Sequence, residues 1–330
     1  MNNKQCSSNL SGDPMTKLAA YQEAVTRLAV NVSNGRASPH KICMLLSVLD
    51  LARAGGLSVN RIEFGPALLE RYYRFFDAVK QPGDHSNPYF PFFHLSGKLR
   101  GGGPSFWHLI PQRGRESMLA AMSTARSPRD ITENIAWAEL DADLFALIQQ
   151  PQALDALGQT LAAHWFNRGL QELNVIAAQS AASSRYEYAL RKELPLAAQD
   201  VPPAWVRDPA FRRVVTEAYD WRCAATGLRI VLPTGESLVE AAHIHPFSEA
   251  GDDDPRNGLA LTPNIHWAMD KNLIAPGEDL RWHVSKVLDR RIPEYEPLVR
   301  LHGQPLILPN ELRYSPKRES LAWRMERLRT

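Results

Sequence analysis

The stretch EAAHIHPFSEAGDDDPRNGLALTPNIHWAMD, residues 240–270, decides how the C-terminal half of this chain reads. It opens as a strand of small apolar residues ending near His243, with His245 one residue further on. A Gly- and Pro-rich acidic loop follows, then Asn257-Gly258 and a short apolar strand, Leu259-Ala260-Leu261. Thr262-Pro263 reads as a helix start, with Thr at the N-cap and Pro at the first helical position. His266 and Asp270 lie four residues apart, on one face of that helix. The expected order is therefore strand, loop, strand, helix, with His243, Asn257 and His266 separated by 14 and 9 residues. A lone histidine at a strand end is more often structural than catalytic. The set taken together points to a small metal-dependent site for phosphodiester hydrolysis. His245, His283 and His302 lack such company, and the run Asp252-Asp253-Asp254 before a proline reads as a solvated turn.

The chemistry needs a base to activate water and an electrophile for the charge on phosphate and leaving oxygen. An unperturbed imidazole, with a pKa of about 6.5, suits proton abstraction near neutral pH. A hard divalent ion held by one or two protein ligands keeps positions open for substrate oxygens.

These residues resemble the HNH endonucleases, whose core is a ββα-metal unit. The resemblance covers roughly residues 211–275 and is carried by FRRVV, DWRCAATG, AAHIHPF, RNGLALTPNIH and the following Asp270. It implies that His243 is the general base, that Asn257 orients the loop or touches the metal network, and that His266 is a metal ligand. Asp270 is then an outer partner or a supplementary ligand. The implied catalytic set is His243, Asn257 and His266, and the implied metal set is His266, Asn257 and Asp270, for Mg²⁺, Mn²⁺ or Co²⁺. Many of these enzymes carry Asp or His just before the base, where this chain has Ala242. Glu240, His245, Asn257 and Asp270 remain candidates for the second ligand. Cys223 stands alone, so no four-cysteine zinc support is expected.

The chain has 330 residues, 44% of them hydrophobic, enough for two cores. No apolar run is long enough to span a membrane. The polar start MNNKQCSSNLSGDP is unlike a signal peptide. Cys6, Cys43 and Cys223 are odd in number and widely spaced, which argues against a disulfide framework and suits a reducing, cytoplasmic setting. Net charge is only +2, but residues 281–330 carry eleven Lys or Arg against six acids, an asymmetry compatible with a polyanion-facing surface.

Upstream, apolar periodicity predicts helices over 15–30, from Pro39 to Gly55, over 66–79, and over 130–149 and 151–164. An irregular aromatic region falls after Pro82. A polar, Ala-rich helix over 170–194 reads as a connector, and Pro202-Pro203 marks a boundary. Beyond it come a helix, PAFRRVVTEAYDW, a turn at Thr226-Gly227, and two strand-like runs, LRIVL and SLVEAAHI. The expected division is 1–165, a helical linker 166–204, and 205–330. The fold class is α+β, a mostly helical DNA-recognition domain followed by a ββα-metal nuclease domain.

In the front region SPHKICMLLSVLDL opens a helix with His40 and Lys41. PYFPFFHL and GPSFWHL flank the basic segment SGKLRGGG. On composition alone the aromatics are a core under a loop. The pattern resembles the sulfur-binding domain of restriction enzymes that detect phosphorothioate-modified DNA, over residues 15–165, and the order of the two domains matches as well. It implies a pocket of His40, Lys41, Tyr89, Phe90 and Pro91, with Lys98 and Arg100 reaching phosphates. Family members often carry Arg where this chain has Lys41, which keeps the charge but loses the bidentate fork. The function expected is a restriction endonuclease acting on double-stranded, phosphorothioate-modified DNA, as a homodimer or by successive nicks. Two alternatives are a nuclease triggered by a modified base or by plain DNA, and a non-cleaving regulator with a degenerate core.

Overall fold

The computed structural model describes residues 13–194 and 202–330. Cys6 and residues 195–201 of the expected linker lie outside that set. Helix α1 (Pro14–Thr26) starts at Asp13, whose carboxylate accepts from the Met15 N–H. A two-residue hairpin, β1 (Val32–Ser33) and β2 (Arg36–Ala37), leads to α2 (His40–Arg53), which is buried along almost its whole length from Ile42 to Leu51. Helix α3 (Pro66–Val79) packs along α2, burying Leu68, Leu69, Tyr72, Phe75, Phe76 and Val79. The α3 range is the one that apolar spacing predicts.

The aromatic stretch is not an irregular loop. It forms a short helix, α4 (Tyr89–His94), that buries Pro91, Phe92 and Phe93. Phe92 meets Trp107 edge to face, with ring centroids 5.4 Å apart, and the Trp107 indole N–H donates to the Phe92 carbonyl. Trp107 belongs to β3 (Trp107–Pro111), which leads on to α5 (Glu116–Ala121) and α6 (Pro128–Asn134). A single helix over 130–149 is the expectation, yet α6 stops at Asn134 and is followed by strand β4 (Ile135–Leu140) and α7 (Ala142–Ile148). Ser127 and Asp130 form a capping box that starts α6. The segment IAWAEL then pairs antiparallel with β3, Trp107 opposite Leu140. Helices α8 (Pro151–Phe166) and α9 (Leu173–Arg191) complete this part, with α1 and α2 packed against α8.

Two compact units emerge. One holds the described residues up to Arg185 with Pro233–Gly235, the other Tyr186–Leu232 with Glu236–Thr330. Their boundary falls inside α9, within the segment expected as a linker.

In the second unit, the end of α9 is followed by α10 (Ala204–Ala218), which packs on β5 (Glu240–His243) and on β6 (Gly258–Leu261). Strands β5 and β6 are antiparallel, Glu240 opposite Leu261 and His243 opposite Gly258. Between them lie a single turn, α11 (Phe247–Ala250), and the acidic loop. Helix α12 (Pro263–Asp270) follows at once, so strand, strand and helix stand in the expected order. Thr262 takes the extended N-cap conformation, but its hydroxyl makes no cap bond. The run LRIVL contributes only an isolated bridge, Val231 to Ser237. Strands β7 (Ile274–Pro276) and β8 (Trp282–Val284) form a second hairpin, followed by α13 (Glu296–Val299) and α14 (Arg318–Glu326). Helix α14 packs on β7, and its Arg324 is buried: Nε donates to the Ile244 carbonyl at 2.7 Å and Nη2 to the His243 carbonyl at 3.3 Å. None of the described helices is long and apolar enough to cross a membrane.

Candidate active site

His243 ends strand β5, where register with Gly258 fixes its backbone. Its ring lies flat against Phe211 of α10, with centroids 3.9 Å apart and an interplanar angle of 2°. The contact exists because Gly258 has no side chain. A Cβ there would stand 2.8 Å from the Phe211 ring and 2.6 Å from Val215. The Nε2 of His243 lies 2.8 Å from Asp253 Oδ1. A carboxylate can only accept, so Nε2 carries a proton, and a neutral ring has its lone pair on Nδ1. No described residue bonds that Nδ1.

Asp253 overturns its expected place in a solvated turn. Its side chain is 1% exposed. It also accepts from the Arg207 guanidinium, at 3.0 and 3.1 Å, and from the Tyr186 hydroxyl at 3.1 Å. Burial, and then the Asp253 charge, push the Tyr186 hydroxyl well above its usual pKa, so it remains a donor. The neighbouring Asp254 does behave as a turn residue, accepting from the Arg256 backbone and side chain. Asp252 pairs with Lys317 at 2.7 Å.

Asn257 is fully buried. Its Oδ1 accepts from the His245 N–H at 2.9 Å, and its Nδ2 donates to the carbonyls of His245 and Asp252, at 2.8 and 3.0 Å. Both ends of the carboxamide are thus spent on backbone. This geometry is that of a loop-orienting residue, one of the two roles expected of Asn257. His245 stacks on Trp323, with centroids 4.1 Å apart.

His266 faces Glu240 across the gap between α12 and β5. Its Nδ1 lies 2.9 Å from Glu240 Oε2, and its Nε2 lies 3.4 Å from Asp270 Oδ2. With the Nδ1 proton donated to Glu240, a neutral ring turns its Nε2 lone pair toward a second carboxylate. A ring protonated at both nitrogens would instead donate to both carboxylates. Adjacent ligands of an octahedral Mg²⁺, at about 2.1 Å each, stand roughly 3 Å apart. The pair His266 and Asp270 therefore fits a divalent ion with two protein ligands. Glu240, at the other ring nitrogen, stands where a carboxylate orienting a metal-binding histidine would stand. Among the described residues, no group of three or more His, Cys, Asp or Glu side chains is arranged to hold an ion.

In the first unit a cavity of about 540 Å³ is lined by, among others, Ser38, His40, Lys41, Phe90, Pro91 and His94. Four of the expected pocket residues thus meet. Tyr89, Lys98 and Arg100 are not in its wall. Tyr89 packs on the core, and the Arg100 guanidinium donates to the Val30 carbonyl. Both nitrogens of His40 are engaged, Nδ1 with the Ser38 hydroxyl and Nε2 with the His85 carbonyl. In this arrangement His40 forms part of the cavity wall. Lys41 has no hydrogen-bond or ion-pair partner among the described residues, and burial pulls its ammonium below the ordinary lysine value. Sequence reading missed His94, whose pKa is lowered by burial and then by the Lys41 charge. Its place one turn beyond Phe90 on α4 is the signal that could have found it.

Residues 223–275 match the family model of the HNH endonucleases, so the C-terminal part of the chain carries an HNH endonuclease domain. A solved structure titled "Modification dependent TagI restriction endonuclease" is similar at 22% identity and a TM-score of 0.31, covering 38% of this chain and 39% of that one. The match thus spans about two fifths of that protein's length. No curated protein matches the chain.

Proposed function

We propose that the chain is a restriction endonuclease directed to phosphorothioate-modified DNA by its first unit, and that it cleaves with the HNH site of its second. The cutting half of this reading rests on His243, whose ring is fixed by Phe211 and Asp253 while Nδ1 stays open to a water. In the proposed step Nδ1 takes a proton from water, and the water oxygen attacks phosphorus as the bond to the 3′ oxygen breaks. The products carry a 5′-phosphate and a 3′-hydroxyl. A divalent ion, held by His266 and Asp270, supplies positive charge to the phosphate and the leaving oxygen when bound. Asn257 keeps the loop after β5 in register with β6.

The recognition half rests on Lys41, a partly buried ammonium with no partner among the described residues, which lines the same cavity as Phe90 and Pro91. A non-bridging sulfur is larger and less strongly hydrated than oxygen, so an apolar wall favours it, while Lys41 meets the remaining charge. Such walls discriminate by about 1–3 kcal/mol, roughly 10- to 200-fold. Cutting both strands with one site per chain requires a homodimer or two successive nicks. The test is cleavage of matched duplexes with and without one phosphorothioate linkage, with Mg²⁺, Mn²⁺ and Co²⁺ in turn. Preferential cutting of the modified duplex is expected, and Lys41→Ala should erase the preference. Equal cutting of both would transfer the trigger to a modified base or to plain DNA. Tight binding without cutting under every metal would favour a regulator.

A further inference from the structure

The loop between α11 and the turn before β6 delivers one carboxylate into the unit's interior, and it meets the ring that performs the proton transfer. We infer that Asp253 is a positioning residue for His243, holding the imidazole in the Nε2-protonated tautomer so that Nδ1 faces the attacking water. The inference rests on the reading of His243 as general base.

Four observations carry it. The Nε2–Oδ1 separation of 2.8 Å is that of a charge-assisted hydrogen bond. Asp253 is itself immobilised, by Arg207 from α10 and Tyr186 from α9, so its oxygens cannot follow the ring if the ring turns. Arg207 is clamped in its turn, its guanidinium lying 3.4 Å over the centre of the Phe247 ring. Phe211 fixes the plane of the imidazole, and Asp253 fixes its rotation within that plane. A ring held only by stacking could flip and exchange its two nitrogens. A ring held at both plane and edge cannot.

The chemistry follows with its protons accounted for. Nδ1 accepts a proton from water and the ring becomes an imidazolium, whose Nε2–H still points at the Asp253 carboxylate. The resulting hydroxide oxygen bonds to phosphorus as the P–O3′ bond breaks. The 3′ oxygen takes a proton from solvent, and Nδ1 later returns its own proton to solvent. Asp253 gains and loses no proton. It favours the imidazolium electrostatically and keeps the wrong nitrogen out of the site, and residues with that job are worth orders of magnitude in turnover elsewhere.

The test compares Asp253→Asn with the double variant Arg207→Met/Asp253→Asn, which leaves no buried guanidinium without a counter-charge. Both are the full chain, checked for folding by circular dichroism. The expected result, in single-turnover cleavage of duplex DNA, is a fall of about 100-fold or more in rate at saturating DNA, with DNA affinity within about twofold of the parent. ¹⁵N spectra of histidine-labelled protein should show the His243 ring losing its single Nε2-protonated form. If the folded variants keep both the parental rate and the parental ring spectrum, the inference falls. His243→Ala separates the two layers. If that variant is dead while Asp253→Asn cuts normally, only the positioning role is lost. If His243→Ala itself cuts normally, the base assignment and this inference fail together.

Discussion

At the scale of single residues, the site divides its histidines by what each ring nitrogen meets. His243 has one nitrogen against a buried carboxylate and the other open, the arrangement of a base. His266 has a carboxylate at each nitrogen, the arrangement of a ligand with an orienting partner. His40 and His245, equally conspicuous in the sequence, are committed to a hydrogen-bonded wall and to a Trp323 stack. Glu240 gives this division a measurable consequence. It stands three residues before the base, and its carboxylate fixes the His266 ring from the Nδ1 side. Glu240→Gln keeps the shape and removes the charge. Outer partners of this kind typically contribute 10- to 100-fold in metal affinity. Mn²⁺ binding followed by calorimetry should weaken by about that factor in the Gln variant. An unchanged affinity would remove Glu240 from the metal account.

At the scale of elements, the β5–β6 pair and α10 form one device. Gly258 lets α10 approach β6 closely enough for Phe211 to lie on His243, although its backbone conformation is open to any residue. Gly258→Ala must displace Phe211 or Val215, an overpacking cost of about 1–3 kcal/mol. Urea unfolding should report that loss, with a fall in cleavage rate from the disturbed ring stack. Stability and rate equal to the parent would show that the contact is dispensable. Much of this layer was legible in the sequence. The spacing of His243, Asn257 and His266 placed strand, strand and helix correctly, because a local pattern produced them. Asp253 was not legible. Its burial depends on Tyr186 and Arg207, dozens of residues upstream, and no local rule separates it from its exposed neighbours in an acidic run. The strand IAWAEL was hidden for the same reason. It pairs with Trp107–Pro111, and tertiary pairing overrode a segment that helical periodicity had claimed. Arg324, which holds the carbonyls of His243 and Ile244 from the far end of the chain, carried no signal beyond its charge.

At the scale of the whole molecule, the described residues form two compact units, the second of which carries the HNH endonuclease domain. The first holds a cavity lined in part by Lys41, Phe90 and Pro91, and the second the His243 ring held by Phe211 and Asp253. The recognition residues were legible only as far as their resemblance reached. His40 and Lys41 stood out as a pair at a helix start, but that both ring nitrogens of His40 are hydrogen-bonded is visible only in the folded cavity. The account as a whole depends on water being activated at His243, and one measurement addresses that step directly. Single-turnover cleavage by His243→Ala, at saturating duplex DNA and saturating Mn²⁺, should fall to the uncatalysed background while DNA binding stays at the parental level. Cleavage at the parental rate in that variant would contradict the account.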